Sequence, residues 1–101
     1  MKYIDIEKAK IPYSFELVLA GETFQFEVLY NIAGDFFTIN LYKNHELVVY
    51  GEKIVYDVDL FDNLKHLQVP RVTIRPYDTT GLAERVTYEN LNEDVFLYVL
   101  D

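Results

Sequence analysis

Asp57, Asp59 and Asp62 form the tightest acidic cluster in the chain, and carboxylates so close together raise the question of calcium. A calcium loop of the EF-hand kind needs oxygen ligands at alternating positions, a glycine at its sharp turn and a closing glutamate. Here Leu60 and Phe61 occupy the interior and no glycine follows. Helix capping by Asp59, with Asp62 near the positive start of that helix, accounts for two of the three acids without a metal. Other reactive groups are scattered. Ser14 is the single serine and has no histidine near it in sequence. His45 falls in a turn segment and His66 near the end of a helical pattern, and no ligand stands at zinc spacing from either. The absence of cysteine removes thiol nucleophiles, thiolate metal ligands and disulfides together. No phosphate-cradling glycine loop and no nucleophile elbow is present. Seventeen acids allow many carboxylate pairs to be drawn, but a glycosidase pair has meaning only across a cleft. These residues predict no catalytic, cofactor or metal site, and the protein is expected not to be an enzyme. A small enzyme or carbohydrate-binding domain built on the three aspartates stands as an alternative, which calcium-dependent melting would reveal.

The elements that must position any site are strands. From Tyr13 to Tyr30 two alternating segments flank Ala20-Gly21. With those two residues as the loop, Leu19 faces Glu22, Leu17 faces Phe24, Phe15 faces Phe26 and Tyr13 faces Val28. Ser14, Glu16 and Val18 then meet Glu27, Gln25 and Thr23 on the other face. A one-residue slip would set apolar residues against polar ones, so both strands specify the same register. Each large apolar side chain buried this way contributes roughly 1.5–3 kcal/mol before entropy costs.

Further along, residues 3–7 read as a short first strand, with Pro12 allowed at the start of the next. Gly34 is expected to carry the 31–35 turn through positive φ. Phe36 to Tyr42 is a strand burying Phe37, Ile39 and Leu41. After the turn at 43–46, Leu47 to Tyr50 returns. A two-residue loop pairs Leu41 with Val48, a three-residue loop pairs it with Leu47, and periodicity does not choose. Gly51-Glu52 breaks that run and strand character resumes over 53–58. Leu60, Leu64 and Leu67 fall at helical spacing, which predicts one or two helical turns capped by Asp59. Residues 71–76 form a peripheral strand because Pro76 cannot donate to a ladder. Asp78 to Gly81 is a turn, 85–88 is extended and 95–100 is the last strand. The fold class is all-β: one domain over 1–101, a small antiparallel β-barrel or β-sandwich of about seven short strands with one short helical segment.

Half the residues are hydrophobic and 16% are aromatic, which rules out a disordered tail. Seventeen acids against nine bases give a net charge of −8. Such a surface repels phosphate and disfavours nucleic-acid binding. It suits a basic partner, or a wall past which DNA slides, or simple solubility. No apolar run is long enough for a transmembrane span. Asp5 and Glu7 interrupt what would be the apolar centre of a leader, so synthesis in the cytoplasm without export by that route is expected.

Val95-Phe-Leu-Tyr-Val-Leu100 is apolar at six consecutive positions, so both of its faces call for cover. Either this strand is central in a closed barrel, or the face carrying Phe96, Tyr98 and Leu100 meets another chain. Leu29, Val48, Tyr50 and Val55 also stand where alternation points outward. Together these seven residues are the interface candidates, and a patch of that size exceeds what a monomer normally exposes. A second layer within the same domain would cover them equally well.

The order of these signals resembles the baseplate plug proteins of contractile-tailed bacteriophages and prophages, similar to the plug of a cyanophage baseplate. The residues that carry the likeness are Ile11-Pro12-Tyr13, Phe15 to Gly21, Phe24 to Asn31 and Asp35 to Tyr42. Gly51 to Val55, Asp59-Leu60, Val69-Pro70, Asn90-Leu91 and Val95 to Tyr98 complete it. The segment 78–88 matches least, and Phe37 stands where an aromatic residue, often Trp, is usual. The resemblance implies a structural protein of the virion tail that plugs or bridges the junction of tail tube and hub or spike. It implies contacts with those proteins, a homo-oligomer in the assembled particle, and no catalytic residues, cofactor, nucleic acid or membrane. The alternative is a stand-alone β-domain binding module for a peptide or carbohydrate, without catalysis.

Overall fold

The computed structural model describes residues 2–100, in seven strands and two 3-10 turns. β2 (Tyr13–Leu19) and β3 (Glu22–Asn31) form the hairpin that alternation predicts, with Leu19 opposite Glu22 and Tyr13 opposite Val28. Ala20 and Gly21 turn the chain with φ of 51° and 78°. Two left-handed residues match the twist of the flanking strands. β4 (Phe36–Lys43) and β5 (Glu46–Lys53) extend the hairpin into an antiparallel meander of order β2-β3-β4-β5. β2 is an outer strand of that sheet, and Ser14, Glu16 and Val18 face solvent along it.

Departures from expectation are local and have physical causes. In the β3–β4 loop the positive φ belongs to Asp35, at 52°, and not to Gly34. Gly34 leaves room for the Phe36 ring instead, which a Cβ at 34 would displace. The β4–β5 turn has two residues, Asn44 and His45, and begins with Lys43 opposite Glu46. A register shift then places Leu41 opposite Val49, so neither simple register holds. The extra residue turns Val48 partly into the core. Gly51 does not break the strand: with φ of 72° and its amide donating to Asn40 Oδ1 at 2.8 Å, it carries β5 on to Lys53. No strand forms over 54–58.

The helical expectation over 59–67 shrinks to a 3-10 turn at Asp62–Leu64, without a side-chain cap from Asp59. Amides at its start are engaged elsewhere. Leu60 N–H donates to the Ile74 carbonyl at 2.9 Å and Phe61 N–H to Glu52 Oε2 at 2.7 Å. Phe61 adopts a left-handed φ of 61° and is buried, so the leucine spacing is met without a helix. A second 3-10 turn covers Lys8–Lys10, and 85–88 forms no strand.

The second sheet has the order β1-β7-β6, from β1 (Tyr3–Ile4), β6 (Thr73–Tyr77) and β7 (Phe96–Leu100). Pro76 sits on an edge strand, as its missing donor requires. The outer side of β6 is already occupied, because Asp57 N–H donates to the Pro76 carbonyl at 2.7 Å and Leu60 to Ile74. β7 is central, in an open sheet; no closed barrel forms among the described strands. Inner faces of both sheets share one core, with Phe24, Phe26, Phe37, Ile39 and Leu41 from the meander and Ile4, Ile74, Leu97 and Val99 from the smaller sheet.

Candidate interaction surface

β7 presents its residues alternately. Leu97 and Val99 point into the core, while Phe96, Tyr98 and Leu100 lie half-buried on the opposite face. Pairing brings more aromatic surface beside them. Tyr3 is directly opposite Tyr98 on β1, and Tyr77 is opposite Phe96 on β6. Ring centroids lie 4.7 Å apart for Tyr3 and Phe96 and 5.9 Å apart for Phe96 and Tyr98. Tyr77 stacks on Tyr56 at 5.6 Å. Tyr3 is 45% exposed and Tyr77 36%, which makes this a contiguous aromatic face and not a row of isolated rings.

Arg75, opposite Tyr98, is the one charged residue of that face on β6. It donates to both carboxylate oxygens of Asp59, from Nε at 2.7 Å and from Nη2 at 3.3 Å. This two-point bond, with the carboxylate charge beside it, raises the guanidinium pKa further above its ordinary value. Asp57, Arg75, Tyr77, Thr79, Tyr98 and Leu100 line a hollow of about 350 Å³ at this face.

The remaining interface candidates stand elsewhere. Leu29 and Tyr50 line a shallow hollow on the outward face of the meander, with Phe36, Thr38 and Asn40. Tyr50 is 80% exposed, whereas Leu29 is half-buried. Val48 packs against the core, and Val55 is exposed beyond the end of β5 next to Lys53 and Arg85. The seven residues therefore separate: Phe96, Tyr98 and Leu100 share the face of β7, Leu29 and Tyr50 share a hollow on the meander, and Val48 and Val55 stand apart. Tyr3, Tyr77 and Arg75 complete the β7 group and were not singled out from the sequence. Their signal was the alternation Thr73, Arg75, Tyr77, which becomes legible only once β6 is known to pair with β7.

Residues considered for chemistry are apart. Asp59 is engaged by Arg75, while Asp57 and Asp62 are exposed. His45 sits in the β4–β5 turn, His66 is exposed beyond the 3-10 turn, and Ser14 faces solvent on β2. Among the described residues no three His, Asp or Glu side chains are grouped to hold a metal ion. The buried carboxylate of Asp78 accepts from Thr80 N–H at 2.9 Å, Thr80 Oγ1 at 2.7 Å and Ala83 N–H at 3.0 Å, and so organises its own loop. No helix is long and apolar enough to cross a membrane.

Against known proteins, a family model described as cyanophage baseplate Pam3 plug gp18 matches residues 1–101. No curated protein matches the chain.

Proposed function

The chain belongs to the cyanophage baseplate plug family, and from that premise we propose that it is a structural component of a contractile-tail baseplate. It plugs or bridges the junction of tail tube and hub or spike through protein contacts, and it resides in the virion tail. The observation that carries this reading is the outward face of the smaller sheet. Tyr3, Tyr77, Phe96, Tyr98 and Leu100 lie on one side of three strands, over a sheet whose other side already fills the core. Aromatic residues concentrated on an exposed face are what protein interfaces select. The net charge of −8 is consistent with a component that must not hold passing DNA.

Replacing Tyr98 by Asp in a phage carrying this protein tests the reading. Purified tails should lack the variant, while the isolated chain keeps a cooperative melt close to that of the parent. Normal incorporation of the variant would overturn the assignment of this face. A collapse of the melt would show Tyr98 to be part of the core.

A further inference from the structure

We propose that the hollow beside Tyr98 receives an arginine side chain presented by a neighbouring baseplate protein, an inference that rests on the structural role proposed above. Its lining divides by chemistry. Tyr77 and Tyr98 supply aromatic rings, Leu100 an apolar wall and Thr79 a hydroxyl. The resident cation, Arg75, is held by Asp59 through two hydrogen bonds, so these two charges cancel. What remains is one net negative charge from Asp57, whose carboxylate acts on Arg75 through space without an ion-pair contact. Ion pairs among the described residues join Lys10 to Glu7, Lys43 to Glu22, Arg75 to Asp59 and Arg85 to Asp35, and none uses Asp57.

Asp57 also holds a left-handed φ of 57°, fixed by its amide on the Pro76 carbonyl. Aspartate is among the residues that tolerate this conformation, and Asp57 lines the hollow. A net negative charge in a hollow lined by two aromatic rings, on a surface of net charge −8, favours a cation with a flat face. Guanidinium meets both demands, because it stacks on a ring and offers a planar fork to a carboxylate. Ammonium meets only the charge.

The test uses the full ¹⁵N-labelled chain and N-acetyl-arginine amide, followed by amide chemical shifts. N-acetyl-lysine amide and the neutral isostere N-acetyl-citrulline amide serve as comparisons. Saturable shifts at Asp57, Tyr77, Thr79 and Tyr98 are expected, tightest with arginine and lost with citrulline. Asp57→Asn should weaken arginine binding about threefold or more, a charge effect at a partly exposed site. Asparagine tolerates the left-handed region, so the backbone is retained. No saturable shift at these residues, equal binding of citrulline, or an unchanged affinity in the Asp57→Asn variant would each overturn the proposal. Lysine binding as tightly as arginine would overturn the choice of guanidinium. The two readings fail differently: if Tyr98→Asp blocks incorporation into tails while arginine amide leaves the hollow unmoved, the arginine inference falls and the baseplate role stands. If the parent chain itself is absent from purified tails, the baseplate role falls and the arginine inference falls with it.

Discussion

The hydroxyl of Tyr30 donates to Oδ1 of Asp35 at 2.7 Å, joining the end of β3 to the loop that follows it. The same oxygen accepts the amide of Tyr88 at 2.9 Å, from a segment far along the chain. Arg85 adds hydrogen bonds to the carbonyls of Gly34 at 3.3 Å and Asp35 at 3.0 Å. The Tyr88 ring packs 5.0 Å from that of Tyr30. One carboxylate therefore ties the strandless segment around 85–90 to the meander. Asp35→Ala should release it: hydrogen exchange at the Tyr88 amide should accelerate well beyond that of core amides in β3. Tyr30→Phe, which leaves the carboxylate and the ring packing in place, should accelerate it less. Equal protection in parent and Asp35→Ala would contradict the tie.

The pH profile should reflect two carboxylates held below their ordinary value near 3.8. For Asp35 the first cause is the Tyr88 amide, followed by the Tyr30 hydroxyl. For Asp78 it is the Thr80 hydroxyl and then the Thr80 amide, with burial opposing. A depressed folded-state pKa stabilises the fold above the unfolded pKa and loses that contribution as pH falls through the folded one. Acid unfolding should therefore steepen below about pH 4, and Asp78→Asn should flatten that limb while lowering stability at neutral pH. Melting temperature against pH from 2 to 7 reads both effects.

At the alkaline end the sign reverses. Tyr30 is raised above 10.0 first by its hydrogen bond to Asp35 and then by burial. Tyr13 and Tyr42 are raised first by burial. A raised folded-state pKa contributes stability below the unfolded value and loses it as pH rises through the folded one. Tyr30→Phe should remove part of the stability loss above about pH 10, measured as a shallower alkaline limb in the melting profile.

Turn chemistry leaves room for improvement. Ala20 and His45 hold φ of 51° and 65°, which l-residues with ordinary side chains adopt at a cost. Ala20→Asn and His45→Gly should each stabilise the chain by about 0.5–1 kcal/mol in urea denaturation, with unchanged m-values. Destabilisation by either would mean that the turn is not left-handed at that position.

Core and surface should separate sharply. Phe26 is fully buried, with its ring 5.9 Å from Phe15 and 6.3 Å from Phe61. Phe26→Ala should cost about 3–5 kcal/mol, a large share of what a small domain has. Val18, 68% exposed on β2, should tolerate Thr within about 0.5 kcal/mol. Chemical denaturation of both variants decides.

Where two strands carry the same alternation out of phase with any slip, register is legible from residues alone, and the β2–β3 hairpin shows it in all seven pairs. At Leu41 both expected partners were apolar, so hydrophobicity had nothing to choose between, and a bulge selected a third, Val49. Leucine spacing over 60–67 is compatible with a helix, but the amides of Leu60 and Phe61 find acceptors on Ile74 and Glu52 that no local pattern reveals. The candidate surface divides the same way. Phe96, Tyr98 and Leu100 were visible as the second face of an unbroken apolar run. Tyr3 joins them through pairing of the chain's two ends and Tyr77 through pairing of β6 with β7, and Val48 leaves the outward set because the bulge rotates it.

β2 closes the meander with one rim of its backbone unmatched, and Glu16 stands at its midpoint. Two copies aligned head-to-tail along Tyr13–Leu19 would bring that glutamate against its own twin, and like charges directly across a ladder repel. One carboxylate thus disfavours edge-to-edge pairing of two copies through β2.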